Sequence, residues 1–157
     1  MLLLDDLQRL CIEKGVSVAV AESCTAGLIA SRLTTLTGSS SYFKGGVVAY
    51  QNEIKTKILG VSQSIIDAKT EVSAEVVKLM AQSVLKKFDA DFAIATSGYA
   101  GPTGGTNKNP IGTVFIAIAS AVGVVVSHFI FSGNRQSVVN QASKTALNLL
   151  YVEVKKQ

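Results

Sequence analysis

Apolar positions recur along the chain with two different spacings. In LLLDDLQRLCIEK, Leu3, Leu7 and Leu10 fall on one face of a helix, and Lys14-Gly15 ends it, which predicts a helix over 2–14. VSVAVA is a short unbroken apolar run and predicts a buried strand over 16–21. A short helix is expected from Cys24 to Leu33, then loop through TTLTGSSS, then a second strand over 45–50. NEIKTKIL, 52–59, predicts a helix capped by Asn52 and stopped by Gly60. SAEVVKLMAQSVLKKF, 73–88, has the clearest helical period, with Ser73 at its start and Val76, Val77, Met80, Val84 and Phe88 on its apolar face.

The second half of the chain continues the alternation. DFAIATS, 91–97, predicts a third strand. The loop after it, 98–112, holds five glycines and both prolines of the chain. Strands four and five are expected at 113–119 and 124–130, and a last helix from Arg135 to Val154. Helices alternating with apolar strands imply an α/β fold, a sandwich with helices on both faces of a mixed, mostly parallel sheet. The junction between strands four and five is too short for a parallel crossover, so that pair is expected to be antiparallel. In such sheets ligands gather at the carboxyl ends of the strands. AESCTAG, YQNEIK and GYAGPTGG all fall there, after strands one, two and three.

Composition fits one globular domain over 1–157, with no internal repeat and no linker. The chain is 48% hydrophobic and 17% charged, with a formal net charge of +4. The basic residues are scattered apart from small pairs such as Lys86-Lys87 and Lys155-Lys156, which speaks against a nucleic-acid surface and suits a small anionic ligand. Cys11 and Cys24 show no metal-ligand or CxxC spacing and read as reduced thiols of a cytosolic protein. MLLLDDLQRL lacks a basic start and does not read as a signal peptide. The 18 uncharged residues 114–131 approach a membrane span in length. Their β-branched content, with Ser120 and Gly123 in the middle, favours two buried strands and a short turn. No membrane partner is expected.

Several residues carry candidate chemistry, each beside a plainer reading. Ser23 is either a helix cap or a nucleophile whose helix amides would hold an oxyanion. A serine nucleophile needs a base. The one histidine, His128, lies within strand five, away from the loop ends. Lys55 is either a solvated lysine or that base, with burial and a helix terminus lowering its pKa. Glu22 is a competing base, or orients Lys55. Cys24 is a lesser alternative nucleophile. The glycine loop has neither a Walker nor a dinucleotide fingerprint, yet its amides with Thr103 and Thr106 suit a phosphate. Arg135, after SGN, is either a surface arginine or an anion anchor.

The ordered stretches AESCTAG, GSSSYFKGGVVAYQNEIKTKILGV, SAEVVKLMA, GYAGPTGGTNKNPIGTVFIAIA and SGNR resemble the CinA C-terminal domain, over about residues 5–150. That family includes nicotinamide-nucleotide amidases. The resemblance implies a three-layer α/β/α sandwich on a mixed five-stranded sheet, without the N-terminal domain of larger CinA proteins. It implies hydrolysis of the carboxamide of nicotinamide mononucleotide to nicotinate mononucleotide and ammonia. Ser23 would be the nucleophile, Lys55 the base, and Tyr50 would line the site. The expected substrate-binding set is Glu22, Thr25, Ala26, Gly27, Gly46, Gly101, Thr103, Gly104, Gly105 and Arg135, of which the glycine loop and Arg135 would hold the ribose phosphate. No metal or organic cofactor is expected. A cytoplasmic homo-oligomer is expected, with this small molecule as its partner; the alternative is a module that binds pyridine nucleotides without turning them over. Three positions depart from the family pattern: Ala26 for a second glycine, Tyr99 for an aliphatic residue, and Asn134 for an aspartate.

Overall fold

The structure is a computed structural model and describes residues 2–157. Helix α1 spans Leu2–Lys14, as its leucine spacing requires. It closes with Gly15 at φ 63° and a bond from the Val16 amide to the Cys11 carbonyl. Strand β1 is Val18–Glu22. It starts later than the sequence suggests because Ser17 is engaged elsewhere: its amide and hydroxyl both donate to the Asp91 carboxylate at 2.7 Å. These bonds hold the Asp91 carboxyl below the usual carboxylate range and tie the start of β1 to the strand beside it.

Helix α2 is Leu28–Leu33 and does not begin at Cys24. Residues 24–27 are a turn, with Ala26 at φ 48° and Gly27 at φ 94°. A helix cannot run through two successive left-handed residues. Strand β2 is Phe43–Val48, α3 is Asn52–Lys57, and α4, which the sequence pattern did not reveal, is Gln63–Lys69. Asn52 is the first residue of α3 and does not cap it; Gln51 is the capping position. Helix α5, Ala74–Lys87, is capped as expected, the Ser73 hydroxyl accepting from the Val76 amide. Strands β3 (Phe92–Gly98), β4 (Thr113–Ser120) and β5 (Gly123–Ile130) precede α6 (Arg135–Lys156).

The five strands form one sheet in the order β2-β1-β3-β4-β5. β1 pairs in parallel with β2 and β3, and β4 pairs antiparallel with both β3 and β5. Four strands therefore run one way and β4 alone runs back. The apolar run 114–131 is the β4–β5 hairpin, and among the described residues no helix is long and apolar enough to cross a membrane.

The two sheet faces differ in bulk. Val18, Val20, Phe92, Ile94, Val114, Ile116 and Ile118 point to the side of α1, α2 and α6. Ala19, Ala21, Ala93, Ala95, Ala117 and Ala119 point to the side of α5. Small side chains there let α5 lie close across the sheet, with Val76, Val77, Met80, Ala81 and Val84 buried against it. Phe88 of the expected face is the C-cap and only partly buried. The layers are α/β/α. Because β1, β2 and β3 share a direction, the segments following all three emerge at one end of the sheet.

Candidate active site

A cleft of about 360 Å³ opens at that end, within the size range of small-molecule sites. β1 delivers Ser23 and Cys24 to it, the segment after β2 delivers Tyr50, Gln51, Asn52 and Lys55, and β3 with its following loop delivers Ser97 to Ala100 and Thr103. Glu71 and Val72 come from the turn before α5, and Arg135 from the first turn of α6.

Lys55 is the largest fully buried side chain in the protein, at 1% exposure. A lysine is seldom buried without a carboxylate, yet its Nζ donates only to the Tyr50 carbonyl, at 3.3 Å, and makes no salt bridge among the described residues. Burial pushes its pKa down, while the nearby Glu71 and Cys24 pull it back up in part. Ser23 is 7% exposed and lines the same cleft. Its amide donates to Thr96 O at 3.0 Å, which fixes the residue against β3. The next two amides, of Cys24 and Thr25, donate to no carbonyl among the described residues. They lie where the sequence reading placed helix amides, though the helix itself begins at Leu28.

Cys24 also lines the cleft, but burial pushes its thiol up to about 12. It is protonated at any ordinary pH and is a poor nucleophile. His128 sits on the exposed edge strand β5, stacked on Phe115 with ring centroids 4.5 Å apart, and does not line the cleft.

Arg135 joins two walls. Its guanidinium donates to the Gly101 carbonyl at 2.8 Å and to the Tyr50 hydroxyl at 2.6 Å. Asn134 caps α6 by accepting from the Ser137 amide, so this position serves the helix and Arg135 takes its orientation from Gly101 and Tyr50.

Of the expected site residues, Ser23, Tyr50, Lys55, Thr103 and Arg135 line the cleft together. The others do not. Glu22 is fully buried, and its two oxygens accept from the Ile29 and Ala30 amides at 2.9 and 3.0 Å. It caps α2 from seven residues upstream, which removes it as a base and as a substrate contact. Thr25 is buried and hydrogen-bonds the Thr96 hydroxyl at 2.8 Å. Ala26 and Gly27 make the turn ahead of α2. Gly46 is a packing residue: a Cβ there would lie 2.3 Å from the Val20 carbonyl oxygen of the neighbouring strand. Gly101, Gly104 and Gly105 shape the loop, and a Cβ at Gly101 or Gly105 would collide with Ile111. The sequence reading missed Glu71, Ser97 and the cleft-facing role of Asn52. Asn52 was visible one turn before Lys55; Glu71 lies in a stretch assigned no element. Among the described residues no cluster of three or more His, Cys, Asp or Glu side chains could hold a metal.

Residues 3–154 match the model of the CinA C-terminal domain. Among curated relatives, a CinA-like protein of Flavobacterium psychrophilum is 46% identical over 150 residues, covering 96% of this chain and 36% of the relative. A CinA-like protein of Geobacter sulfurreducens is 44% identical over 142 residues, covering 90% of this chain and 34% of the relative. The chain thus spans about a third of the length of these relatives. Among solved structures, a competence-damaged protein (CinA) superfamily protein of Klebsiella pneumoniae superposes with a TM-score of 0.95 at 32% identity, covering 99% of this chain and 97% of the other. A competence/damage inducible protein of Agrobacterium tumefaciens gives 0.90 at 33% identity, covering 98% and 96%.

Proposed function

The chain belongs to the CinA C-terminal domain family, and on that footing we propose that it is a serine amidase acting on nicotinamide mononucleotide. The observation that carries this reading is Lys55, buried to 1% exposure beside the cleft that Ser23 lines, with no salt bridge to a carboxylate among the described residues. A protein gains no stability from such a lysine. A depressed lysine pKa in a cleft is what a general base near neutral pH requires.

In this mechanism neutral Lys55 Nζ takes the proton of the Ser23 hydroxyl as its oxygen attacks the carboxamide carbon. The oxyanion that forms would be held by the amide of Cys24, which lines the cleft and donates to no carbonyl among the described residues. The Lys55 ammonium then gives its proton to the leaving nitrogen, and ammonia departs as the C–N bond breaks. Water, deprotonated by the same lysine, attacks the Ser23 ester; the acyl C–O bond breaks, the Lys55 ammonium returns its proton to the Ser23 oxygen, and the acid product leaves. Arg135, its guanidinium already turned toward Tyr50 and Gly101, would receive the phosphate.

Ammonia release from nicotinamide mononucleotide by the purified chain tests the reading. The wild type releases ammonia and Ser23→Ala does not. Binding of the nucleotide without ammonia release by the wild type would replace the amidase with a binding module.

A further inference from the structure

The cleft carries a carboxylate that the proposed mechanism does not use. Glu71 lines it and forms no salt bridge among the described residues. Its one side-chain hydrogen bond is a long one, accepted from the Tyr99 hydroxyl at 3.4 Å.

Its backbone is pinned on both sides. The Ser97 hydroxyl donates to the Glu71 carbonyl at 2.7 Å, and the Asn109 side-chain amide donates to the Val72 carbonyl at 3.1 Å. Just before it, Thr70 has φ 66° and ψ 164°, a combination that is essentially reserved for glycine. A β-branched residue held there is strained, and such strain concentrates where a structure must present a group to a ligand. The turn that carries it delivers Glu71 to the cleft within reach of the Tyr99 hydroxyl.

A carboxylate beside an aromatic ring is a site for an organic cation. Arg135 and the buried Lys55 line the same cleft. We infer that Glu71, backed by Tyr99, is the subsite for the positively charged ring of an N-substituted pyridinium carboxamide and selects it over neutral aromatic amides. This rests on the amidase reading for placing the carboxamide at Ser23; the charge preference itself does not require turnover. A zwitterion with a cationic ring and an anionic phosphate would then find Glu71 for one charge and Arg135 for the other.

Dissociation constants of 1-methylnicotinamide, which is cationic, and of nicotinamide, which is neutral, are to be measured by ligand-observed NMR titration. Neither probe carries ribose or phosphate, so Arg135 does not enter. The wild type is expected to prefer the cation by about 10-fold, a modest value for one close charge pair. Glu71→Gln should erase that preference and leave nicotinamide binding unchanged. Equal binding of the two probes by the wild type overturns the inference without reference to any variant, as does a preference that survives in Glu71→Gln. A cation preference in a protein that releases no ammonia sinks the amidase and keeps the subsite; ammonia release with no preference does the reverse.

Discussion

The Arg135 guanidinium donates to the Tyr50 hydroxyl at 2.6 Å and so ties the start of α6 to the segment that follows β2, 85 residues away in sequence. The same group holds the Gly101 carbonyl of the glycine loop. If it also grips phosphate, Arg135→Ala should lower kcat/KM for nicotinamide mononucleotide by about 10- to 100-fold, the worth of one charge-assisted hydrogen bond or slightly more. The riboside without phosphate should lose little. Parallel steady-state assays on the two substrates decide this, and equal losses would reduce Arg135 to a brace between two loops.

Glu22 is expected to matter to stability. Glu22→Ala removes an acceptor for two helix amides and opens a cavity, and should destabilise by about 3 kcal/mol in urea unfolding. Glu22→Gln keeps one acceptor oxygen and should lose less. A substrate contact would instead leave the unfolding midpoint alone and raise KM.

Cys24 lies next to the proposed nucleophile, but with its thiol near 12 it is thiolate to about one part in ten thousand at pH 8. Iodoacetamide should therefore modify it in urea and not in the native protein. Cys24→Ala should keep most of the activity. Rapid native labelling accompanied by loss of ammonia release would move the nucleophile from Ser23 to Cys24.

Lys55 should be a stability burden. Its pKa is lowered in the folded protein, so the unfolded chain binds the extra proton between the folded and unfolded values, and stability rises with pH across that window. Below the folded pKa the penalty is fully present. Lys55→Met, which keeps the length and removes the charge, should stabilise by about 1 kcal/mol or more near neutral pH while abolishing activity, as substitutions at functional groups often do. Thermal unfolding at pH 6 and pH 9 checks the sign: the gain over wild type should be larger at pH 6.

Much of this arrangement was legible in the sequence. The strand runs gave the sheet, and the short junction at Ala121-Val122 forced β4 and β5 to pair antiparallel. Ser23, Tyr50, Lys55, Thr103 and Arg135 do meet in one cleft, because β1, β2, β3 and β5 run the same way and end together. What escaped depended on contacts between distant residues or on unusual backbone. The start of α2 was misplaced because Ala26 adopts a left-handed conformation that its type does not announce. Glu22 looked chemical because its partners, the Ile29 and Ala30 amides, exist only once the turn has formed. The alternation of large and small residues in VAVA and FAIA recorded which sheet face meets α5, but a two-letter reading of apolar against polar passes over it. Glu71 sits outside any regular element, in a turn held by Ser97 and Asn109.

The Ser23–Lys55 pair is tested most directly by the pH dependence of ammonia release from nicotinamide mononucleotide, measured for the wild type and Lys55→Arg. The titratable and charged groups sharing the cleft with Lys55 are Glu71, Cys24, Tyr50, Tyr99 and Arg135. With neutral Lys55 as the base, the wild-type rate should rise with pH through a lysine pKa below the usual 10.5. Lys55→Arg, which keeps the charge but gives up no proton at usable pH, should lose about 10²- to 10⁴-fold. An active Lys55→Arg variant, or a wild-type rate already flat from pH 5 upward, would contradict the assignment.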